Sequence, residues 1–278
     1  MKTTLLFLLI TISLNAQDLK KVDSLLEQGN YQLALTILEK VDDKNFENFK
    51  KTGVIYQKTG NYGKAITNFE NALTLKNSYL LKEELGKTYQ SYGNSNKAIL
   101  LFNDVLKNKP TNFLLKYHLA KLYFAKKQYD KAKILFKELI IKDTNNPNYY
   151  YYSSRVFEEQ KDINNAKKQF LQAIKIDSLH IKSYYKLAKI FRKEKNKDST
   201  TIYLNKGLII NANYTVLLQL KSKVAYKNKN YHKVIKSVEK LDSLKVNSKL
   251  YKHLQGFSYY YTLNPQNFIK KFKTIHCA

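Results

Sequence analysis

Residues 60–73 have the sequence GNYGKAITNFENAL, and residues 93–106 have the related sequence GNSNKAILLFNDVL. The same arrangement begins near residue 28, at residue 127 (KQYDKAKILFKELI) and at residue 161 (KDINNAKKQFLQAI). The copies from residue 60 onward follow each other at intervals of 33 or 34 residues. Self-similarity at such a fixed interval is typical of proteins built from stacked repeats. The structure that one repeat can form therefore decides the fold of most of the chain.

The second half of each repeat has the spacing of an amphipathic helix. An alanine is followed four residues later by a larger apolar side chain, and intervals of four and three place side chains on one helical stripe. The alanines are Ala34, Ala65, Ala98, Ala132 and Ala166, and later repeats have Thr200, Val234 and Phe268 there. The residues four positions later are Leu38, Phe69, Phe102, Phe136, Phe170, Leu204, Val238 and Phe272.

Another helix is predicted before each of these. A small residue lies twelve positions before the alanine column, and small side chains let two helices approach closely. Between the two helices, Gly60-Asn61 and Gly93-Asn94 predict a turn, because glycine readily adopts the left-handed conformation that ends helices. The small residues are Gly53, Gly86, Ala120, Ser154, Ala188, Ser222 and Gly256.

A 34-residue helix–turn–helix unit with these small, aromatic, alanine and phenylalanine columns resembles the tetratricopeptide repeat. The resemblance covers about residues 17–278, close to eight repeats. It implies an all-α fold, a right-handed superhelical solenoid of paired helices. The last two repeats are degenerate: in the seventh, Lys221 stands where Leu119 and Leu187 stand in earlier repeats.

The N-terminal residues have the pattern of a secretory signal peptide. Lys2 supplies a positive charge, residues 5–14 are apolar, and Ala16-Gln17 offers a cleavage site. The apolar run is shorter than the roughly 20 residues that span a membrane. We expect residues 1–16 to be removed and the chain to be exported, either to the periplasm or to the medium. The alternative is a buried or anchoring N-terminal helix. No later run of 18 apolar residues exists, so the mature chain is expected to have no membrane span.

The net charge of +27 comes almost entirely from lysine, since Arg155 and Arg192 are the only arginines among 49 basic residues. Lysine is spread along the whole chain, whereas proteins that bind nucleic acid concentrate their charge on one face. Nucleic acid is therefore not the expected partner. The single cysteine, Cys277, excludes an internal disulfide framework and a thiolate zinc site.

Sequence motifs of common enzymes are absent. The chain has no GxxxxGK[ST] phosphate loop, no HExxH and no GxSxG. Its five histidines are scattered without the spacing of metal ligands. We expect no catalytic activity, no cofactor and no metal site.

One column of basic residues predicts a binding surface. The resemblance implies that the first helix of each repeat lines a concave groove in which a partner peptide lies. The residue after the small residue is basic in five consecutive repeats, and tyrosine lies four residues earlier in three of them, on the same helix face. The predicted groove residues are Tyr117, Lys121, Tyr151, Arg155, Tyr185, Lys189, Arg192 and Lys223.

These features predict a protein-interaction scaffold in the cell envelope, which binds an acidic or extended peptide in its groove. One alternative is a protein that binds an anionic polymer, either nucleic acid or cell-wall polysaccharide. Another is an accessory subunit of a secretion, motility or signalling complex. The basic column also has a simpler interpretation, a solvated face of a lysine-rich protein with tyrosines that pack between repeats.

Overall fold

The computed structural model of the protein describes residues 18–41, 44–262 and 266–269. The predicted signal peptide, residues 1–16, and Phe272 of the eighth repeat lie outside the described residues. All regular elements within the described ranges are helices, and no strand occurs there. The chain divides into two compact units, an N-terminal unit, Met1–Gln128, and a C-terminal unit, Tyr129–Ala278.

The N-terminal unit consists of antiparallel helix pairs that stack in chain order. Each helix packs against the next, from α2 on α3 to α6 on α7, and α1 joins the core of α2 and α3 through Val22 and Leu25. The helices are α1 over residues 18–27, α2 (Tyr31–Glu39), α3 (Phe46–Lys58), α4 (Tyr62–Leu75), α5 (Tyr79–Ser91), α6 (Ser95–Asn108) and α7 (Phe113–Ala125).

The C-terminal unit continues the same pattern. Consecutive helices pack on each other, and the first helices of successive repeats also touch, α11 on α13 and α13 on α15. The helices are α8 (Tyr129–Lys142), α9 (Pro147–Glu159), α10 (Ile163–Ile176), α11 (Ile181–Lys193), α12 (Lys197–Ile210), α13 (Thr215–Lys227), α14 (Tyr231–Ser243) and α15 (Lys249–Tyr261). A short helical stretch covers residues 266–269.

The predicted columns form the core. The side chains of Phe69, Phe102, Phe136 and Phe170 are 0% exposed, as are the alanines of their repeats. The small-residue column is explained by the same packing, since a Cβ atom added to Gly53 would lie 2.5 Å from the ring of Phe69. Atoms at that distance overlap, so the residue facing the ring has to be small.

The turns between paired helices keep one conformation while their sequence changes. Gly60 and Gly93 have positive φ angles of 80° and 91°, as predicted from their sequence. In the later repeats the same position is a lysine with φ near 60°: Lys127, Lys161, Lys195 and Lys229. A left-handed conformation costs a residue with a side chain about 1–2 kcal/mol. The helix pairs therefore hold this turn without the glycine that favours it.

Candidate functional site

Three helices of the C-terminal unit carry positive charge without any negative charge. Five Lys or Arg residues lie on α11, three on α13 and two on α15, and none of these helices contains Asp or Glu. Each is the first helix of its repeat, and α13 packs against both others. Charges of one sign on adjacent helices produce a local field that attracts an anionic partner.

The basic column of the sequence lies at equivalent positions of α9, α11 and α13. Arg155, Lys189 and Lys223 are each the ninth residue of their helix, because α9, α11 and α13 begin 34 residues apart. Equivalent positions in repeated helices face the same direction relative to their own repeat. Within the C-terminal unit, the column therefore forms one basic strip across the first helices of three repeats.

The one carboxylate of α9 that approaches α11 is already neutralised. Glu158 accepts a hydrogen bond from the Lys186 ammonium at 2.6 Å, and both side chains are largely buried. Burial lowers the pKa of Lys186, while Glu158 acts in the opposite direction. No carboxylate in the described part of the chain forms an ion pair with Lys189, Arg192 or Lys223. Their charge is therefore available to a partner.

The N-terminal unit differs at the same column. Lys87 on α5 lies 2.9 Å from both Glu83 and Glu84, which satisfy its charge within the same helix. In the next repeat, the Lys121 ammonium lies over the ring of Tyr117, 5.1 Å from its centroid. The predicted pairing of Tyr117 with Lys121 is thus present as a cation–π contact.

A cavity of about 200 Å³ lies beside the strip in the C-terminal unit. It brings together two predicted site residues, Arg192 from the end of α11 and Lys223 from α13. Five of its nine lining residues are cations and none is an acid. We call it the basic cavity, and its lining residues are Arg192, Lys195, Asn196, Lys197, Thr200, Lys223, Val224, Lys227 and Asn228.

Local backbone geometry positions the lysines of the basic cavity. Lys195 has a φ of 60°, and the amide of Asn196 donates to the carbonyl of Phe191 at 3.0 Å, which ends α11. The side chain of Asn196 accepts from the Ser199 amide at 2.9 Å and caps α12. The first residue of α12, Lys197, therefore follows the end of α11 after a short turn. The N-terminus of a helix also favours anions.

Arg192 has an unsatisfied hydrogen-bond donor. Its Nε atom is buried and has no acceptor among the described residues. A buried donor without an acceptor costs about 1–3 kcal/mol. Arg192 also lines the basic cavity, and guanidinium groups bind carboxylate and phosphate oxygens with good geometry.

Tyr151 lies in the interior, which differs from its predicted place on the binding surface. Its side chain is 8% exposed, and its ring centroid lies 5.8 Å from that of Phe170 and 5.2 Å from that of His180. Burial raises the pKa of the Tyr151 hydroxyl. The Arg155 guanidinium lies over the ring of Tyr152 instead, 6.0 Å from its centroid. Tyr151 is therefore a core residue of α9 that packs beneath the basic strip.

The remaining predicted residues lie on α11 and α13. Tyr185 is half-buried and packs against the cluster of Ala188, Leu204 and Leu220. Lys189 is half-buried one turn later on the same helix. Lys223 is exposed, and its ammonium lies 5.5 Å from the ring centroid of Tyr251 on α15.

Sequence reasoning missed Lys195, Lys197 and Lys227, which complete the basic cavity. They lie at helix ends, outside the column that was followed along the first helices. A signal for Lys195 was present, because lysine replaces the turn glycine at 34-residue intervals from residue 127 onward.

The described residues show neither a metal site nor a membrane span. No group of three or more His, Cys, Asp or Glu side chains there is placed to hold a metal ion. Within the same ranges, no helix has both the length and the apolar character needed to cross a membrane.

Two family models match the chain, and both describe the tetratricopeptide repeat. One matches residues 89–152, and the other matches residues 53–79 and 147–178. The chain is a tetratricopeptide repeat protein. Its predicted fold class, an all-α array of tetratricopeptide-type helix pairs, is confirmed. No curated protein sequence matches it significantly.

Solved tetratricopeptide repeat structures resemble this protein over most of its length. The C-terminal part of a repeat protein from Cytophaga hutchinsonii has a TM-score of 0.68 at 15% identity, covering 85% of this chain and 98% of that one. A repeat protein from Parabacteroides merdae has a TM-score of 0.63 at 13% identity, covering 84% and 92%. MamA from Desulfovibrio magneticus has a TM-score of 0.57 at 15% identity, covering 63% and 99%. These likenesses concern the fold.

Proposed function

We propose that this tetratricopeptide repeat protein is a non-enzymatic scaffold that binds an acidic, extended segment of a partner protein. The repeat fold supports a role in protein interaction. The observation that carries the acidic specificity is the basic cavity, in which Arg192 and Lys223 converge with three further lysines and no acid. An acidic side chain or a chain terminus bound there would meet five cations and no acid in the lining.

The binding segment would run from the basic cavity along the basic strip. Lys189 and Arg155 continue the positive charge toward α9, and the half-buried ring of Tyr185 lies on the same helix as Lys189. Tyrosine and arginine are enriched among residues that dominate binding energy. The remaining cations should increase the rate of association with an acidic partner more than they increase the affinity.

The test begins with capture of the partner by the purified protein from extracts of its own host, followed by affinity measurements on the isolated complex. We expect Arg192→Ala and Lys223→Ala each to weaken binding by about 1–3 kcal/mol, which is roughly 5- to 150-fold. Lys168→Ala on α10 is the matched control for Lys223→Ala, since both lysines are exposed. It should change the affinity by less than about twofold. Circular dichroism should show unchanged helicity in all three variants.

The anionic-polymer alternative gives a different result in the same experiment. If charge alone acts, Lys168→Ala and Lys223→Ala should weaken binding equally. The affinity should also fall steeply with salt concentration, in proportion to the number of charges neutralised. If neither cavity variant changes the affinity for the captured partner, the basic cavity is not the binding site.

The proposal includes an envelope location, which rests on the signal-like pattern of residues 1–16. N-terminal sequencing of the protein from its own host should find Gln17 as the first residue, in an envelope or extracellular fraction. A retained Met1 in the cytosolic fraction would contradict export and would leave the peptide-binding proposal unchanged.

A further inference from the structure

A second and larger opening lies elsewhere in the C-terminal unit. It has a volume of about 760 Å³, and residues of α12, α13 and α14 line it. It shares no lining residue with the basic cavity. Ligand-binding clefts commonly have volumes of about 300–1,000 Å³. We call this opening the α12–α14 cleft.

The cleft occurs where the repeat sequence departs from its pattern. Lys221 on α13 stands in the leucine column, whose member on α11, Leu187, is 0% exposed. Lys221 is only half-buried and lines the cleft. Burial lowers the pKa of its ammonium, and the nearby charges of Lys233 and Lys236 act in the same direction. An ammonium group requires solvation that leucine does not, and the cleft beside Lys221 provides room for it.

The cleft combines an apolar floor with a row of cations. Leu208 and Leu218 contribute apolar surface, and Ile209 at its rim is 83% exposed. Lys236 and Lys240 follow Lys233 along one face of α14, which also lines the cleft. These three lysines span eight residues, and Lys240 follows Lys233 by about 10 Å along the helix.

The single carboxylate of the cleft lining does not neutralise this row. Glu239 accepts a hydrogen bond from the Tyr259 hydroxyl at 3.0 Å. It forms no ion pair with Lys233, Lys236 or Lys240 within the described part of the chain. The cleft therefore presents one long basic edge beside apolar surface.

We propose that the α12–α14 cleft binds an amphipathic helix of a partner protein, with the apolar face of that helix inside and its acidic side chains along Lys233, Lys236 and Lys240. A helix places side chains every three or four residues on one face, which matches the spacing of this lysine row. A fatty acid or another single-headed amphiphile carries its charge at one end and would leave most of the row unpaired. This site goes beyond the proposed function, because it lies outside the basic strip.

The probe for this site is a fluorescent synthetic peptide of 18 residues with leucines on one helical face and glutamates on both flanks. Its binding to the full-length protein is followed by fluorescence anisotropy. We expect saturable binding that weakens at least tenfold in Lys236→Glu/Lys240→Glu and in Ile209→Asp. These side chains are exposed, so the variants should fold, as circular dichroism would verify.

Matched controls distinguish binding in the cleft from non-specific electrostatic or hydrophobic binding elsewhere on the protein. Lys168→Glu reverses an exposed charge on α10, and Ile141→Asp changes an apolar residue on α8 that is 71% exposed. Both should leave the affinity within twofold. A peptide with the same leucines and lysines in place of the glutamates should not bind.

Four results would overturn the proposal. Equal binding of a scrambled acidic peptide would show that only charge matters. Equal losses in the control variants would place the peptide outside the cleft. Binding of oleate to the cleft without binding of the peptide would assign the site to lipid. A dimer in sedimentation velocity that Ile209→Asp dissociates would assign the cleft to a second copy of the chain.

Discussion

Ala132→Asp is expected to lower the free energy of unfolding of the C-terminal unit by about 3–5 kcal/mol. The side chain of Ala132 is 0% exposed, and it lies on α8, which packs against α9. A carboxylate at this position would lose its hydration without gaining a partner, and a larger side chain would also push the two helices apart. Denaturant unfolding of the full chain, followed by far-ultraviolet circular dichroism, measures the loss.

The control for Ala132→Asp is Ile134→Asp, two residues further along the same helix. Ile134 is 58% exposed, so the same carboxylate remains in water and should cost less than about 1 kcal/mol. Equal denaturation midpoints for the two variants would contradict the burial of the alanine column. A larger loss in Ala132→Asp than in Ala132→Asn would isolate the contribution of the charge.

Local spacing was sufficient to predict the helix pairs. The intervals of four and three residues between Ala65, Phe69 and Ala72 recur in later repeats, and the structure buries all three side chains completely. Each repeat packs on its immediate neighbours, so the sequence pattern of a single repeat predicts most of the fold. The turns of later repeats have the same conformation without glycine, because packing of the paired helices holds Lys161 and Lys195 in it.

The binding surface could be predicted only in part. The spacing of a column shows which face of its helix a residue lies on, but it does not show whether side chains of other elements cover that residue. Lys223 is exposed, whereas the ring of Tyr151 is covered by Phe170 of α10 and by His180, the residue before α11. The basic cavity depends on turn residues such as Lys195, which belong to a different column. Lys221 departs from the leucine column in the sequence, but the column does not predict which residues of α12 and α14 line the cleft beside it.

Phe170→Ala is expected to destabilise the C-terminal unit by about 3–5 kcal/mol, the cost of removing a buried phenylalanine from a core. Phe170 is 0% exposed, and its ring touches that of Tyr151 at a centroid distance of 5.8 Å. Because α10 packs on α9 and α11, the cavity left by the ring should loosen these three helices first. Hydrogen exchange should therefore accelerate more in α9–α11 than in α14 and α15.

The matched control for Phe170→Ala is Leu171→Ala, since Leu171 is the next residue of α10 and is 42% exposed. It should cost less than about 1 kcal/mol and leave hydrogen exchange nearly unchanged. Repeat arrays gain stability mainly from neighbouring repeats, so an equal loss of protection from α8 to α15 would show that the unit opens as a whole. Local loosening of α9–α11 would instead disturb Arg155 on α9 and Arg192 on α11 and weaken binding there, while Lys223 on α13 keeps its position.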